Sequence, residues 1–159
     1  MDKTEYRELA SLAANGDAKS FAKLYETIYR EMYYTAYYSL ADEADTVEVM
    51  TDTIKSAFKA AGRLHTEGAF RLYMMKSLCA GIKAKFREYP SERLNDSPHD
   101  SDEFNIKSEF DRLTHTERLV ASLYAGGKFR PEEISQFTGL SLTSVKRRLD
   151  SAMKGFALD

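Results

Sequence analysis

The sequence is poor in the residues that cross-link, interrupt or anchor a chain. Its 159 residues include a single cysteine, Cys79, which excludes an internal disulfide and favours a reducing compartment. Only 3 Pro and 8 Gly are present, so little favours a fold of strands and tight turns. No apolar run approaches 20 residues, and the first residues carry no secretion-signal pattern. We therefore expect a cytoplasmic, all-α protein without membrane insertion.

Candidates for catalysis or metal binding are also scarce. Cys79 has no second Cys and no clustered His at ligand spacing, and the three histidines are scattered. Acidic pairs at helical spacing, such as Glu48 and Asp52, lack an accompanying base, so we interpret them as solvated charges. The sequence predicts no enzymatic activity, no cofactor and no metal site.

The net charge of −2 conceals an uneven distribution. Residues 92–111 contain two Lys and Arg against seven Asp and Glu, whereas residues 110–159 contain eight Lys and Arg against six Asp and Glu. With its prolines and serines, the acidic stretch is typical of a linker. We predict a helical bundle over residues 1–90, a flexible acidic linker over 91–108 and a second helical domain over 109–159.

Helical periodicity dominates the first 90 residues. Apolar residues recur at three- and four-residue intervals, which predicts helices over Thr4–Asn15, Ala18–Leu40, Thr46–Leu64 and Glu67–Glu88. The apolar stripe predicted for the third helix consists of Val47, Met50, Ile54, Phe58 and Ala61. Three or four such helices make a small bundle.

Six tyrosines lie within Ala18–Leu40, more than one buried stripe can hold. They are Tyr25, Tyr29, Tyr33, Tyr34, Tyr37 and Tyr38. Exposed aromatic rings can stack on single-stranded bases or pack on a partner protein. The simpler interpretation, which we favour for each tyrosine, places the ring beside the core and the hydroxyl in water.

The stretch 131–156 predicts a helix-turn-helix. Pro131 suits a first helical position, Gly139 suits the left-handed exit from a helix, and Ser141 can cap a second helix over Leu142–Phe156. On a helical wheel, one face of the second helix is apolar and the other is polar and basic. An amphipathic hairpin with a solvated basic face is the alternative to DNA binding.

In a helix-turn-helix the second helix enters the DNA major groove through its N-terminal residues. Thr143, Ser144 and Arg147 are therefore candidates for base edges, and Lys146, Arg148 and Lys154 for phosphates. Lys128 and Arg130, just before the hairpin, extend the predicted DNA-binding set.

The segment Leu113–Phe156 resembles region 4, the C-terminal DNA-binding domain, of bacterial RNA polymerase sigma factors of the extracytoplasmic-function group. The matching features are Leu113, Arg118, Leu123, Gly127, Glu132-Glu133-Ile134, Gly139-Leu140-Ser141 and Val145–Ala152. The resemblance covers about 45 residues and implies recognition of a −35 promoter element. LuxR-type output domains share much of the pattern.

The helices of residues 1–90 resemble region 2 of the same family, with a divergent sequence. Glu48 and Ile54, on the predicted helix Thr46–Leu64, match the motif of that helix in kind, whereas Ala80 and Ala84, on Glu67–Glu88, replace an Asn and an Asp of the family. The resemblance implies binding of core RNA polymerase through Glu48, Thr51, Ile54, Lys55 and Phe58. It implies contact with the −10 promoter element through Tyr73, Lys76, Lys83 and Arg87.

Three hypotheses remain open from the sequence. The first is a sigma factor whose partners are core RNA polymerase, promoter DNA and, as a further candidate, an anti-sigma factor. The second is a stand-alone LuxR-type regulator, which would need alternating strands and helices in residues 1–90. The third is a sigma-like protein-interaction module that does not initiate transcription.

Overall fold

The computed structural model describes residues 1–89 and 113–154, and every element in these two stretches is helical. The N-terminal half, residues 1–89, contains α1 (Lys3–Ala14), α2 (Ala18–Glu26), α3 (Tyr29–Leu40), α4 (Glu43–Ala60) and α5 (Glu67–Glu88). The C-terminal half, residues 113–154, contains α6 (His115–Ala121), α7 (Pro131–Thr138) and α8 (Leu142–Met153). A 3-10 turn, Ala61–Arg63, follows α4, and a π-helical turn, Ser122–Gly126, follows α6. The predicted all-α fold class is confirmed.

Side-chain caps fix where several helices begin. Asp42 accepts a hydrogen bond from the Asp45 amide at the start of α4, and Thr66 does the same for Ala69 at the start of α5. Each carboxylate or hydroxyl satisfies an amide that has no partner within its helix. Short polar residues ahead of apolar runs therefore mark these boundaries.

One predicted helix is divided in two. The single helix expected over Ala18–Leu40 is interrupted between α2 and α3, where the Thr27 hydroxyl donates to the Leu24 carbonyl and Ile28 takes φ −131°. A capping box of Thr114 and Glu117 fixes the start of α6. Apolar periodicity continues through the break between α2 and α3 because Ile28 is buried in the core.

The face that α4 buries differs from the predicted stripe. Val47 is 53% exposed and Ile54 and Phe58 are half-buried, whereas Met50 and Ala61 are buried as predicted. The buried residues of α4 are mostly small: Thr46, Val49, Met50, Thr53, Ala57 and Ala60. Small side chains allow α4 to lie close to α5, where a Cβ on Gly81 would come within 2.9 Å of Val49.

Helix α5 is the centre of the molecule. It packs against α3 and α4 on one side and against α6 and α7 on the other. Phe70, Met74 and Leu78 are buried as predicted, whereas Tyr73, Ser77 and Gly81 are only partly covered. The second packing face buries four further apolar residues, Met75, Cys79, Ile82 and Phe86. Because α5 has neighbours on both sides, a single apolar stripe on the helical wheel underestimates how many of its residues are buried.

The two halves share one continuous apolar core. At their boundary the Arg118 side chain is 1% exposed, and its Nε donates to the Ser39 carbonyl at 2.9 Å. Phe86 stacks on His115 at 4.4 Å between ring centroids, and Lys83 Nζ donates to the Thr138 carbonyl at 2.9 Å. The C-terminal half is thus placed against α3 and α5. The predicted linker 91–108 lies outside the described residues.

The outer surface of α3 consists largely of tyrosine. Tyr29, Tyr33 and Tyr37 stack at successive turns, with ring centroids 6.4 Å and 5.9 Å apart. Tyr34 and Tyr38 form a second column at 5.9 Å. Tyr29 is 44% exposed, and the other four are half-buried. The tyrosine face, Tyr29 to Tyr38, therefore keeps part of each ring at the surface and packs the rest along the helix.

Candidate nucleic-acid interface

Helix α7 forms with the geometry that its first residues predict. Pro131 occupies the first turn, where its missing N–H leaves no hydrogen bond unmade. The Arg130 amide donates to Glu133 Oε1 at 2.9 Å, and the Arg130 guanidinium lies 3.5 Å from the same carboxylate. These contacts fix the start of α7 at Pro131.

A tight turn connects α7 to α8. Gly139 ends α7 in the left-handed region at φ 83°, as predicted. The Ser141 hydroxyl caps α8 by accepting from the Ser144 amide at 3.1 Å, and the Ser135 hydroxyl donates to the Leu140 carbonyl at 2.6 Å. These bonds hold the relative direction of the two helices, which are joined by the short turn at Gly139 that the sequence predicts.

Buried apolar residues hold the two helices together. Ile134 and Phe137 of α7 meet Val145 and Leu149 of α8 in the core. Phe129, ahead of the motif, packs edge-on against Phe137 with ring centroids 4.9 Å apart. The opposite side of α8 is consequently left to solvent. Phe156, predicted for the apolar stripe, lies outside the described residues.

The predicted DNA-binding residues all retain solvent exposure. Thr143, Lys146, Arg147, Lys154, Lys128 and Arg130 are exposed, and Ser144 and Arg148 are half-buried. Arg148 Nε donates to the Ser144 hydroxyl at 3.2 Å, so these two side chains already contact one another. Three basic residues and one acidic residue lie on α8. The arrangement presents a cationic helix surface that begins at the capped end of α8.

The five predicted polymerase-binding residues lie along one side of α4. Glu48, Thr51 and Lys55 are exposed, and Ile54 and Phe58 are half-buried. Phe58 packs on Phe21 of α2 at 5.0 Å between ring centroids, which limits its motion. We call this α4 stripe, Glu48 to Phe58, the α4 surface. It combines charges with partly accessible apolar groups, a composition suited to binding a protein.

The four predicted −10 contacts share a side of α5 but are not equally available. Lys76 and Arg87 are exposed. The Tyr73 hydroxyl lies 2.6 Å from the Ser56 hydroxyl, and the ring is half-buried against the core. Lys83 donates to the Thr138 carbonyl of the C-terminal half. Two of the four side chains are thus committed to contacts within the chain.

A charged cluster at the end of α5 is absent from the sequence predictions. Lys85 is buried, and its Nζ lies 3.0 Å from Glu48 and 3.4 Å from both Asp45 and Glu88. The hydrogen bond to Glu48 raises the pKa of Lys85, and the Asp45 and Glu88 carboxylates add to the rise although burial opposes it. Asp45 and Glu48 are distant from Lys85 in sequence, so only the acid at Glu88, three residues along α5, hinted at the cluster.

The hydroxyl of Tyr89 continues this cluster by donating to Asp45 at 2.6 Å. Burial raises the pKa of Tyr89, and the hydrogen bond to Asp45 raises it further. The protonated phenol therefore links the end of α5 to the start of α4. The cluster fixes the side of α4 that carries Glu48, one end of the α4 surface.

Within residues 1–89 and 113–154, no group of three His, Cys, Asp or Glu side chains is arranged to hold a metal ion. Among the helices of the same stretches, none is both long and apolar enough to cross a membrane.

Comparison with known proteins places the fold. No protein-family model matches the chain, and no curated protein does. Among solved structures, CnrH is similar to this chain; its structure is described as "Structure of CnrH in complex with the cytosolic domain of CnrY". The TM-score is 0.69 at 22% sequence identity, over 95% of this chain and 94% of that chain. The chain thus shares the all-helical, sigma-like fold of CnrH.

Proposed function

We propose that this chain is a sigma factor that binds core RNA polymerase and directs it to promoters. The observation that carries the proposal is the sigma-like fold over 95% of the chain, combined with a helix-turn-helix whose basic surface faces solvent. A catalytic site is not needed, because polymerase supplies the chemistry of RNA synthesis. The proposal also agrees with the resemblance of residues 113–156 to region 4.

Recognition of a −35 element follows from the direction of α8. The exposed Thr143 and Arg147 lie near its capped N-terminal end, the end that reads base edges in helix-turn-helix proteins. An Arg side chain there can donate two hydrogen bonds to a guanine. Lys146 and Lys154 are exposed for phosphate contacts, which position the protein without reading sequence.

Polymerase binding is assigned to the α4 surface. Its exposed Thr51 and Lys55 flank the half-buried Ile54 and Phe58, so a partner would cover apolar area within a polar rim. The −10 element is assigned to α5, where Lys76 and Arg87 are exposed. Because Ala80 and Ala84 carry no hydrogen-bonding groups, this contact would depend mainly on the neighbouring cations.

A protein that sequesters the chain is a further proposed partner. CnrH was solved in complex with the cytosolic domain of CnrY. This chain has the same fold as CnrH, so it presents a comparable arrangement of helices to a CnrY-like partner. We therefore include an anti-sigma factor among the proposed partners, and the cytoplasm as the proposed location.

The stand-alone regulator hypothesis is disfavoured by the N-terminal half. A receiver domain would need strands alternating with helices, and residues 1–89 contain helices and turns but no strand. The interaction-module hypothesis retains one supporting observation, the engagement of Lys83 by the C-terminal half. It differs from the proposal in predicting no polymerase binding.

The decisive experiment is binding of the full chain to purified core RNA polymerase. We expect saturable binding that Lys55→Glu weakens and that the matched exposed control, Lys19→Glu on α2, leaves unchanged. Absence of binding by folded, helical protein would reject the sigma-factor proposal in favour of the interaction module. Equal weakening by both variants would reject the α4 surface as the contact.

The DNA contact can be tested with duplexes selected from a random library by the polymerase complex. Arg147→Ala is expected to weaken binding by roughly 10- to 100-fold and to relax sequence preference. Lys146→Ala should weaken all duplexes similarly and lower the salt slope by about one. Asp150→Ala, on the same helix, is the control. Unchanged affinity of the Arg147 variant would reject the assigned base contact.

A further inference from the structure

The tyrosine face of α3 is an aromatic surface that the chain covers only in part. Tyr29 is 44% exposed, and Tyr33, Tyr34 and Tyr37 each keep part of the ring accessible. A contiguous surface of this kind on a soluble protein usually marks a site of interaction. The helix-turn-helix and the α4 surface lie on other helices, so the proposed function does not account for this face.

The arrangement of the rings disfavours nucleic acid as the ligand. The planes of Tyr33 and Tyr37 are 4° apart, and those of Tyr29 and Tyr33 are 14° apart. Both faces of the Tyr33 ring are thus turned toward neighbouring rings, and a base has no open face to stack on. Helix α3 also carries a single basic residue, Arg30, whereas sites for single strands follow the phosphates with a positively charged groove. A protein surface is the better match.

The chemistry of the tyrosine face is complementary to itself. Each tyrosine hydroxyl can both donate and accept a hydrogen bond, so two identical faces can supply each other's partners. The rings of Tyr33 and Tyr34 lie 5.5 Å apart and nearly perpendicular, at 80°. The face therefore contains rings in two orientations, and aromatic rings favour contacts of edge against face. A second copy of the chain offers the same combination of rings.

Opposite charges stand at the two ends of this face. Arg30, near the start of α3, is exposed, and its guanidinium lies 5.1 Å from the centre of the Tyr34 ring. Glu43, just beyond the other end of α3, is also exposed. Partial burial raises the pKa of Tyr33, and the Glu43 carboxylate raises it further, so Glu43 lies close to the tyrosine face. The 12 residues of α3 separate the two charges by about 18 Å.

These end charges choose between the two ways of pairing α3 with a second α3. A parallel pair would place Arg30 against Arg30 and Glu43 against Glu43. An antiparallel pair places each Arg30 against the Glu43 of the other copy, and the tyrosines meet between them. Electrostatic complementarity of this kind fixes the direction of an interface.

We propose that two copies of this chain associate through their tyrosine faces, with the two α3 helices antiparallel about a two-fold axis. The same surface is used on both copies, as in most homodimers. Tyr37 lies midway between residues 30 and 43 in the sequence, so it is nearest the axis and meets Tyr37 of the second copy. Much of each ring is already covered within its own chain, so the shared area is small. We expect a weak dimer, with a Kd on the order of 10–100 µM.

Sedimentation equilibrium of the free full-length chain, at low salt and from about 5 to 500 µM, measures this association. We expect a monomer–dimer equilibrium. Arg30→Glu and Glu43→Arg each place like charges opposite one another at both ends of the interface, so each should raise the dimer Kd by about tenfold or more. Arg63→Glu makes the same charge change at an exposed position on the 3-10 turn. As the matched control, it should leave the Kd unchanged.

An equimolar mixture of the Arg30→Glu and Glu43→Arg chains tests the geometry itself. In a mixed antiparallel pair every end charge again faces an opposite charge, so the Kd should return to within about threefold of the wild type. Recovery on mixing also shows that each variant is folded, which circular dichroism checks separately.

Three results would overturn the dimer. They are a wild-type chain that stays monomeric over the whole concentration range, single variants that associate as the wild type does, and a mixture that stays as monomeric as its components. A monomeric wild type would leave the tyrosine face to a different protein. Because no polymerase or DNA is present, the result is independent of the proposed function.

Discussion

Replacement of Gly139 by alanine isolates the backbone requirement of the helix-turn-helix. Gly139 has φ 83°, and a Cβ added there would meet no atom within 4 Å. Steric collision with other residues is therefore absent, and only the backbone conformation opposes the substitution. The strain of an L-residue in this region is about 1–2 kcal/mol, and alanine recovers roughly 0.5 kcal/mol by restricting the unfolded chain. We expect a net loss of about 1 kcal/mol.

Urea unfolding followed by circular dichroism measures this loss. The midpoint should fall while the slope with urea concentration stays constant, and the melting temperature should drop by about 2–4 °C. Gly139→Asn should lose less, because asparagine tolerates the left-handed region. Gly16→Ala is a matched control, since Gly16 has φ 99° and equally open surroundings, and it should lose a similar amount.

Two outcomes would refute this reasoning. One is a Gly139→Ala chain as stable as the wild type, and the other is an asparagine variant no better than alanine. DNA affinity supplies a second criterion, because strain alone does not move the exposed side chains of α8. At a temperature where the variant is folded, its affinity for a selected duplex should equal that of the wild type.

Three further predictions concern the core and the α8 cap. Burial raises the pKa of Cys79 from 9.0 to about 12, so the thiol ionises earlier in the unfolded chain than in the folded chain. The neutral thiol contributes its full stabilisation below pH 9, and the free energy of unfolding falls by about 3 kcal/mol by pH 11. Urea unfolding at both pH values should show this loss in the wild type and not in Cys79→Ala. Tyr6→Phe removes the hydroxyl that donates to the Leu64 carbonyl at 2.7 Å, and the urea midpoint should reveal a loss of about 1–3 kcal/mol; an unchanged midpoint would contradict it. Ser141→Ala removes the α8 cap and should cost about 1 kcal/mol, whereas Ser141→Asp should restore most of it in the same assay.

Sequence patterns predicted α7, α8 and the turn between them well because their signals are local. Pro131, Gly139 and Ser141 each determine the backbone within one turn of their own position, and each acts in the structure as its chemistry requires. Helix α5 was also predicted with the observed bounds, Glu67–Glu88. Local capping and uninterrupted periodicity suffice for such elements.

Predictions that depended on neighbouring helices were less accurate. The large apolar residues of α4 suggested its buried face, yet the close approach of α5 selects smaller ones such as Thr53 and Ala57. The burial of Lys85 was not predicted because its three acidic partners come from two helices and cannot be placed together from sequence. The partners of Arg118 and Lys83 likewise lie in the opposite half of the chain. Such contacts depend on packing geometry, which periodicity does not specify.

The tyrosine face on α3 gives the chain an intrinsic optical probe. The sequence has no tryptophan, so ultraviolet emission from the protein comes from tyrosine. The rings of Tyr29, Tyr33 and Tyr37 are stacked 6.4 Å and 5.9 Å apart, close enough for excitation to pass from one ring to the next. Excitation is therefore shared along this column of rings in the native chain. A tryptophan-containing partner that covered α3 would collect this excitation, so docking there could be observed without any attached label.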